Sequence, residues 1–324
     1  MAKAIRFHET GGPEVLRFED IEVGAPGPGE VQIRQTAIGL NYIDVYDRTG
    51  LYPTDLPGGV GREAAGVVAA VGRKVRGFRV GDRVAYVLPN PGAYCDLRNV
   101  AAERLVKVPR GISDEQAAAL MLKGLTAHYL LRGTYRVAKG DSLLVHAAAG
   151  GVGLLLCQWA KALGAKVIGV VGSDSKAELA RRHGCRHVLI SGRDDIVTRV
   201  KALTRDKGVA AVYDSVGKDT FMESLDCLRP RGMMVTYGNA SGPPPAFSPL
   251  ELSKRGSLFL TRPTLFSYIA TRESLESAAR ELFAIVKSKA VKVRIGQTYP
   301  LADAAEAQRD LEARRTTGST VLIP

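Results

Sequence analysis

One short stretch constrains this chain more than any other: Val145-His146-Ala147-Ala148-Ala149-Gly150-Gly151-Val152-Gly153. It follows an apolar run, Leu143-Leu144-Val145, that reads as a buried parallel strand. Behind it, Val152, Leu155, Leu156, Trp159, Ala160 and Leu163 fall at helical spacing on one face. Strand, glycine turn and helix in that order form the opening of a dinucleotide-binding unit. Gly150 and Gly153 leave room for a pyrophosphate to approach the backbone and for the helix to pack on the strand. The helix N-terminus offers unpaired N–H groups and the positive end of its dipole. Ala147 stands where the usual pattern has its first glycine. A glycine triplet by itself also fits a tight strand-to-helix turn with no ligand, so the residues that follow have to decide.

The next apolar strand, Lys166 to Val171, ends at Gly172-Ser173. That end lies roughly twenty residues past the turn, where the adenosine ribose is read. A site for NAD places Asp or Glu there. This chain has Gly172, Ser173 and, one turn on, Lys176. Gly172 and Ser173 place no carboxylate at the strand end to repel a 2′-phosphate and Lys176 attracts one, so NADP(H) is expected over NAD(H).

The rhythm around this stretch sets the domain plan of the 324 residues. Residues 1–123 are rich in short alternating runs, such as Val31 to Gln35 and Ala64 to Val71, broken by Gly-Pro turns. They predict a partly closed β-barrel. Ser113 and Gln116 form a capping box for a helix from Asp114 to Leu122. Residues 124–262 alternate strand and helix six times, which predicts a doubly wound parallel sheet. Ligands should gather at the C-terminal ends of its strands. Residues 263–324 are too few for a core of their own and are expected to pack back on the first domain. The catalytic domain is therefore expected to be discontinuous, 1–123 with 263–324.

Charge and cysteines exclude little but guide the rest. The formal net charge is +12, and residues 124–262 carry 20 Lys and Arg against 11 Asp and Glu. A basic domain can attract a phosphate-bearing cofactor, or nucleic acid. No aromatic-interleaved basic run supports the second. Cys95, Cys157, Cys185 and Cys227 contain no C-x-x-C pair, so neither a zinc ribbon nor a redox pair is indicated. No apolar run is long enough to span a membrane, and the N-terminus lacks a signal-peptide core. A cytoplasmic protein is expected.

Four stretches carry a family resemblance: Gly11-Gly12-Pro13-Glu14-Val15-Leu16, Asn41-Tyr42-Ile43-Asp44, His146 to Gly153, and Tyr213-Asp214-Ser215-Val216-Gly217. Together they resemble the NADPH:quinone oxidoreductase (zeta-crystallin-like) family of the medium-chain dehydrogenase/reductase superfamily, from the first residues to the closing Gly318 to Pro324. The resemblance implies a GroES-like catalytic domain, a Rossmann domain, a homodimer, and neither flavin nor metal. The residues bear on the metal directly. Zinc alcohol dehydrogenases of the superfamily have cysteine where Asn41 stands and Gly-His-Glu where Gly61-Arg62-Glu63 stands. An amide and a guanidinium do not replace thiolate and imidazole. The segment from Tyr86 to Tyr94, where four structural-zinc cysteines would fall, has none.

The resemblance further implies a substrate cleft between the domains, lined by Asn41, Tyr46, Tyr52 and Arg262. Asn41 would donate to a quinone or carboxamide oxygen, Tyr52 would orient or protonate a forming quinol, and Arg262 would stabilise a developing quinolate. Each has a plainer reading: a loop-capping amide, packing tyrosines, a surface cation. The cofactor contacts carried over are Tyr129, Gly150, Gly151, Val152, Gly153, Gly172, Ser173, Lys176, Ser215, Tyr237, Asn239 and Arg314. Ser191 is a departure, because the family's bacterial members have a tyrosine at the 2′-phosphate there. Ser191 still offers a hydroxyl, and Arg193 is near in sequence. Asp44 and Glu63 are read as structural carboxylates, with Arg62 as the partner of Glu63. His146 and His128 are read as packed histidines rather than catalysts. Three other readings stay open. One is an enone or enal reductase with the same cofactor. Another is an RNA-binding protein using the nucleotide fold as scaffold. The third, a structural crystallin-like role, needs no intact phosphate turn, and the complete turn here argues against it.

Overall fold

Alternation builds the first part of the chain in the computed structural model, which describes all residues from Met1 to Pro324. Its strands are β1 (Ala2–Phe7), β2 (Arg17–Ile21), β3 (Glu30–Leu40), β4 (Gly58–Gly59), β5 (Glu63–Val71), β6 (Arg83–Val87), β7 (Leu97–Ala101) and β8 (Leu105–Lys107). Along β3, Val31, Ile33, Gln35 and Ala37 point inward, as the two-residue period of a strand requires. Three helices follow the strands' interruptions: α1 (Tyr42–Thr49), α2 (Asp114–Ala118) and α3 (Met121–Tyr129).

The Ser113–Gln116 capping box forms, but the helix expected to run to Leu122 does not. It stops at Ala118, and a second helix starts at Met121. The Leu122 N–H bonds to the Glu63 carboxylate instead of to the preceding turn. A buried carboxylate takes that donor more strongly than a peptide carbonyl does.

The middle of the chain alternates as its sequence implies. Strands β9 (Ser142–Val145), β10 (Lys166–Val171), β11 (Cys185–Ile190), β12 (Val209–Asp214), β13 (Leu228–Thr236) and β14 (Phe259–Thr261) form one sheet in the order β11-β10-β9-β12-β13-β14. Every neighbouring pair is parallel. Between them lie α4 (Gly151–Ala162), α5 (Asp174–Arg182), α6 (Ile196–Thr204), α7 (Phe221–Asp226) and α8 (Leu250–Lys254), and α9 (Leu265–Tyr268) follows β14. Strand order reverses between β9 and β12, so the crevice for a ligand opens there. The last strand begins later than its apolar run, because Gly256 and Ser257 take positive φ and turn the chain first.

The remaining residues supply α10 (Arg272–Lys287), β15 (Ile295–Pro300), α11 (Ala304–Glu312) and β16 (Ser319–Ile323). β16 pairs antiparallel with the end of β3, and β15 extends that sheet. The chain divides into two compact units. One holds Met1–Leu125, Ile269–Lys287 and Val293–Pro324; the other holds Thr126–Tyr268 and Ser288–Lys292. Each has its own apolar cluster: Phe7, Ile33, Ile38 and Leu322 belong to the first, and Leu144, Ile168, Val212 and Phe221 to the second. No helix is long and apolar enough to cross a membrane.

Candidate active site

The glycine turn of the second unit is tied to both neighbouring strands. The His146 N–H donates to Tyr213 O at 3.0 Å, and the Ala148 N–H to Val170 O at 3.1 Å. Between them the chain reverses through Ala147, whose φ is +49°. That left-handed conformation is easy for glycine and costly for alanine, which explains why a glycine is usual there. Gly150 caps α4 with no side-chain bond to the helix. The first N–H groups of α4 are thus left for an anion. A Cβ on Gly153 would sit 2.3 Å from Ala147 O, so only glycine lets α4 approach the turn this closely.

Beneath the turn lies a polar cluster that the sequence did not announce. His146 is buried and shares a 2.9 Å hydrogen bond with Ser224 Oγ. Burial lowers its pKa, against the opposing field of Asp214. Asp214 Oδ1 accepts from the Val216 and Gly217 N–H groups at 2.7 and 3.1 Å, and Oδ2 accepts from Thr220 Oγ1 at 2.8 Å. These bonds fold the loop after β12 and place Ser215 within it. The signal was in Asp214, an acid ending an apolar strand.

The ends of β10 and β11 form the adenosine side. Nothing lies within 4 Å of where a Gly172 Cβ would be, so this end is open. Ser173 caps α5, its Oγ accepting from the Lys176 N–H at 3.4 Å. Ser191 follows β11, is exposed, and donates its N–H to Val171 O. Arg193 reaches across to Asp174 at 3.1 Å, which holds an exposed guanidinium beside the start of α5. Gly172, Ser173, Asp174, Lys176, Ser191 and Arg193 therefore belong to one corner, in which Arg193 offsets the Asp174 carboxylate.

Aromatic residues mark the far side of the sheet. Tyr129 is buried, and its ring stacks on Tyr268 with centroids 4.5 Å apart. Burial raises its pKa; Tyr237 and Tyr268 add to this and Arg262 opposes it. Tyr237 and Asn239 follow β13, Arg262 follows β14, and Arg262 NH1 donates to Gly238 O at 3.2 Å. Arg262 is therefore fixed to this loop rather than serving as a loose surface cation.

In the first unit the candidate residues turn inward. Asn41 precedes α1 and is 5% exposed. Its Nδ2 donates to Glu63 Oε1 at 2.8 Å and to Gly39 O at 3.3 Å. Lys123, missed by the sequence reading, completes the group: its ammonium bonds Glu63 Oε1 at 3.1 Å and Leu40 O at 2.9 Å. The expected Arg62–Glu63 pair is not present. Arg62 bonds Asp47 instead, at 2.6 and 3.0 Å. Consecutive side chains at the start of a strand leave on opposite faces, so Arg62 points away from Glu63. Asp44 accepts from the Asn41 N–H and from Tyr94 OH, both at 2.8 Å, and burial pushes its pKa up to about 7. Tyr46 and Tyr52 meet edge to face at 5.3 Å; Tyr46 is buried and Tyr52 half-buried. Arg314 is exposed after α11, at φ +59°.

A GroES-type β unit and a doubly wound unit with an open glycine turn define a medium-chain dehydrogenase/reductase. Residues 27–139 match the alcohol dehydrogenase GroES-like domain, and residues 151–284 match the zinc-binding dehydrogenase family. A quinone oxidoreductase of Pseudomonas aeruginosa is 54% identical over the full length of both chains. A 2-haloacrylate reductase of a Burkholderia species is 46% identical over all of this chain and 99% of its own. The crystal structure of the Escherichia coli quinone oxidoreductase complexed with NADPH superposes with a TM-score of 0.98, at 49% identity and full coverage of both chains. The chain belongs to the quinone oxidoreductase family of that superfamily. The zinc in the second family's description does not fit these residues. Asn41 and Arg62 are not metal ligands, and the Glu63 oxygens are taken by Asn41, Lys123 and Leu122. No group of three His, Cys, Asp or Glu side chains is placed to hold an ion.

Proposed function

We propose that this protein transfers hydride from NADPH to quinones, with neither metal nor flavin. The carrying observation is the glycine turn, which offers unpaired helix N–H groups beside open space at Gly172. It agrees with a full-length relative named quinone oxidoreductase and another solved with NADPH. When bound, NADPH supplies the hydride from nicotinamide C4; the protein supplies orientation and field.

In this reading Gly150, Gly151, Val152 and Gly153 hold the pyrophosphate. Gly172, Ser173, Lys176 and Ser191 form the 2′-phosphate corner, with Arg193 close by. Ser215, Tyr237, Asn239, Tyr129 and Arg314 complete the cofactor contacts. Tyr46 and Tyr52 present ring faces and hydroxyls to the quinone, and Arg262 stabilises charge on its oxygen. Asn41 ties Glu63 to its loop, and donation to substrate would require it to release Gly39 O. We read the catalytic domain as 1–123 with 263–324 and the dinucleotide-binding domain as 124–262, with residues 263–268 and 288–292 clustering with the second unit. Four buried, unpaired cysteines support a reducing compartment, the cytoplasm. Strand β14 ends the sheet with Phe259 exposed, which supports a homodimer paired along that edge.

The test is NADPH oxidation against a panel of quinones, enones and 2-haloacrylate. Quinones should have the highest kcat/KM. The 2-haloacrylate reductase relative favours a second reading, reduction of activated alkenes. A panel in which alkenes outrun every quinone selects that reading, and a panel with no turnover removes both.

A further inference from the structure

On the first unit, lined by none of the residues proposed above for cofactor or substrate, a groove of about 970 Å³ runs beside α10. One stripe of the helix lines it: Arg272, Glu276, Ala279, Arg280, Phe283 and Lys287 recur at three- and four-residue steps. Phe78, Val106 and Pro109 form the opposite wall. The sixteen residues of α10 are joined by fifteen rises of about 1.5 Å, which make this wall about 22 Å long.

The charges on the rim do not cancel. Lys107 is paired with Asp82 at 2.9 Å, Arg272 with Glu276, and Glu103 with Arg104 at 3.9 Å. Lys107 and Arg272 also lie over the Phe78 ring, 5.7 and 5.8 Å from its centroid. Arg76, Arg280 and Lys287 are exposed and pair with no carboxylate. The floor is apolar: Ala279 and Phe283 are buried. An apolar trough with three uncompensated cations complements a ligand of the reverse layout, with an apolar chain and one anionic end. The apolar floor offers nothing to a polyanion.

We propose that this groove is a second binding site, for a single-chain amphiphilic anion such as a long-chain carboxylate. The chain lies along Ala279 and Phe283, and the carboxylate meets the rim cations. Sodium laurate, kept below its critical micelle concentration, is the probe, titrated calorimetrically with and without saturating NADPH. One saturable site per chain is expected in both conditions, and neutral dodecanol should bind at least tenfold more weakly. The double substitution Arg280→Glu with Lys287→Glu should weaken laurate at least tenfold. Ala284→Trp, which fills the groove from an exposed position, should do the same without touching charge. Both variants should keep wild-type melting temperature and NADPH turnover. The proposal fails if laurate does not saturate, if it competes with NADPH or quinone, or if both variants bind it as the wild type does. It also fails if vesicles containing phosphatidylglycerol bind while monomeric laurate does not, since the face would then meet a lipid surface.

Discussion

The two regions holding the candidate residues are built on opposite principles. Around the glycine turn the second unit presents backbone: N–H groups at the start of α4, an open strand end at Gly172, and a loop held from behind by Asp214. Around the start of α1 the first unit presents side chains that bond to one another. Asn41, Glu63 and Lys123 form one buried group, Arg62 and Asp47 another, and Asp44 and Tyr94 a third. A ligand site made of backbone is left with unmet donors, whereas the side-chain cluster has met nearly all of its own polar groups, Asp44 Oδ1 excepted. Substitutions should therefore damage binding in the second unit and stability in the first.

The sharpest test of that contrast is Lys123→Met. The Lys123 and Glu63 side chains are 7% and 0% exposed. Removing one partner of a buried pair leaves an uncompensated charge and costs about 3–5 kcal/mol. Urea denaturation should show that loss, and adding Glu63→Gln should recover a good part of it. A single variant that loses under about 1 kcal/mol would mean that the pair does not hold α3 to β5.

The same contrast explains what could be read from the chain alone. Glycines at fixed spacing announce a turn, because the requirement is local and has one solution. The alternating strands and the doubly wound parallel sheet followed from periodicity, whereas the order of its strands was read only from the structure. The side-chain cluster was not legible, because its partners come from separate elements: Lys123 meets Glu63 across 60 residues, and Arg48 meets Glu312 across 264. Adjacency misled in the one pair named from sequence. Arg62 stands next to Glu63 yet points to the other face and bonds Asp47. The break between α2 and α3 was hidden for the same reason, since the Glu63 carboxylate that captures Leu122 lies on a distant strand.

The pH dependence of stability should carry opposite signs in the two regions. Asp44 has a folded pKa of about 7 against an ordinary 3.8. The folded protein keeps a proton that the unfolded chain releases between those values. The stabilisation from Asp44 is complete below about pH 4 and is lost as pH rises through 7, by up to about 4 kcal/mol. His146 is the reverse: its pKa is lowered, so its contribution is present above about pH 6.5 and is lost in acid. Hydrogen exchange at pH 5 and pH 8 should find the core of the first unit more protected at pH 5, relative to the second. Asp44→Asn should flatten the first unit's change. An unaltered profile in that variant would assign the effect to another group.

In the second unit the expected effect is on choice of cofactor. Gly172→Asp adds a carboxylate into open space, so the melting temperature should not move. The charge would repel a 2′-phosphate and accept from a 2′-hydroxyl. A charge-assisted contact of this kind is worth about 1.5–3 kcal/mol, or about one to two decades. Wild-type kcat/KM should favour NADPH by at least about tenfold, and the substitution should erase that preference. Lys176→Ala should remove most of it while leaving NADH use nearly unchanged. Equal use of both cofactors by the wild type would break the argument from this corner.

The smallest effect tests the turn itself. Ala147 sits at φ +49° where glycine would be at ease. Alanine there carries about 1–2 kcal/mol of strain. Glycine would relieve it, but the unfolded chain would gain freedom worth about 0.4–1 kcal/mol. Ala147→Gly should therefore stabilise by about 1 kcal/mol or less, seen as a rise of about 2 °C or less in melting temperature. Ala147 is exposed, and its backbone N–H has no part in the helix start at Gly150. NADPH affinity should therefore change by less than about threefold, under 0.7 kcal/mol. A fall in melting temperature would mean that the Ala147 methyl is packed usefully and the turn is not strained. A large loss of NADPH affinity with stability intact would mean that the stiffness of alanine, not the room left by Gly150 and Gly153, sets the turn for the pyrophosphate.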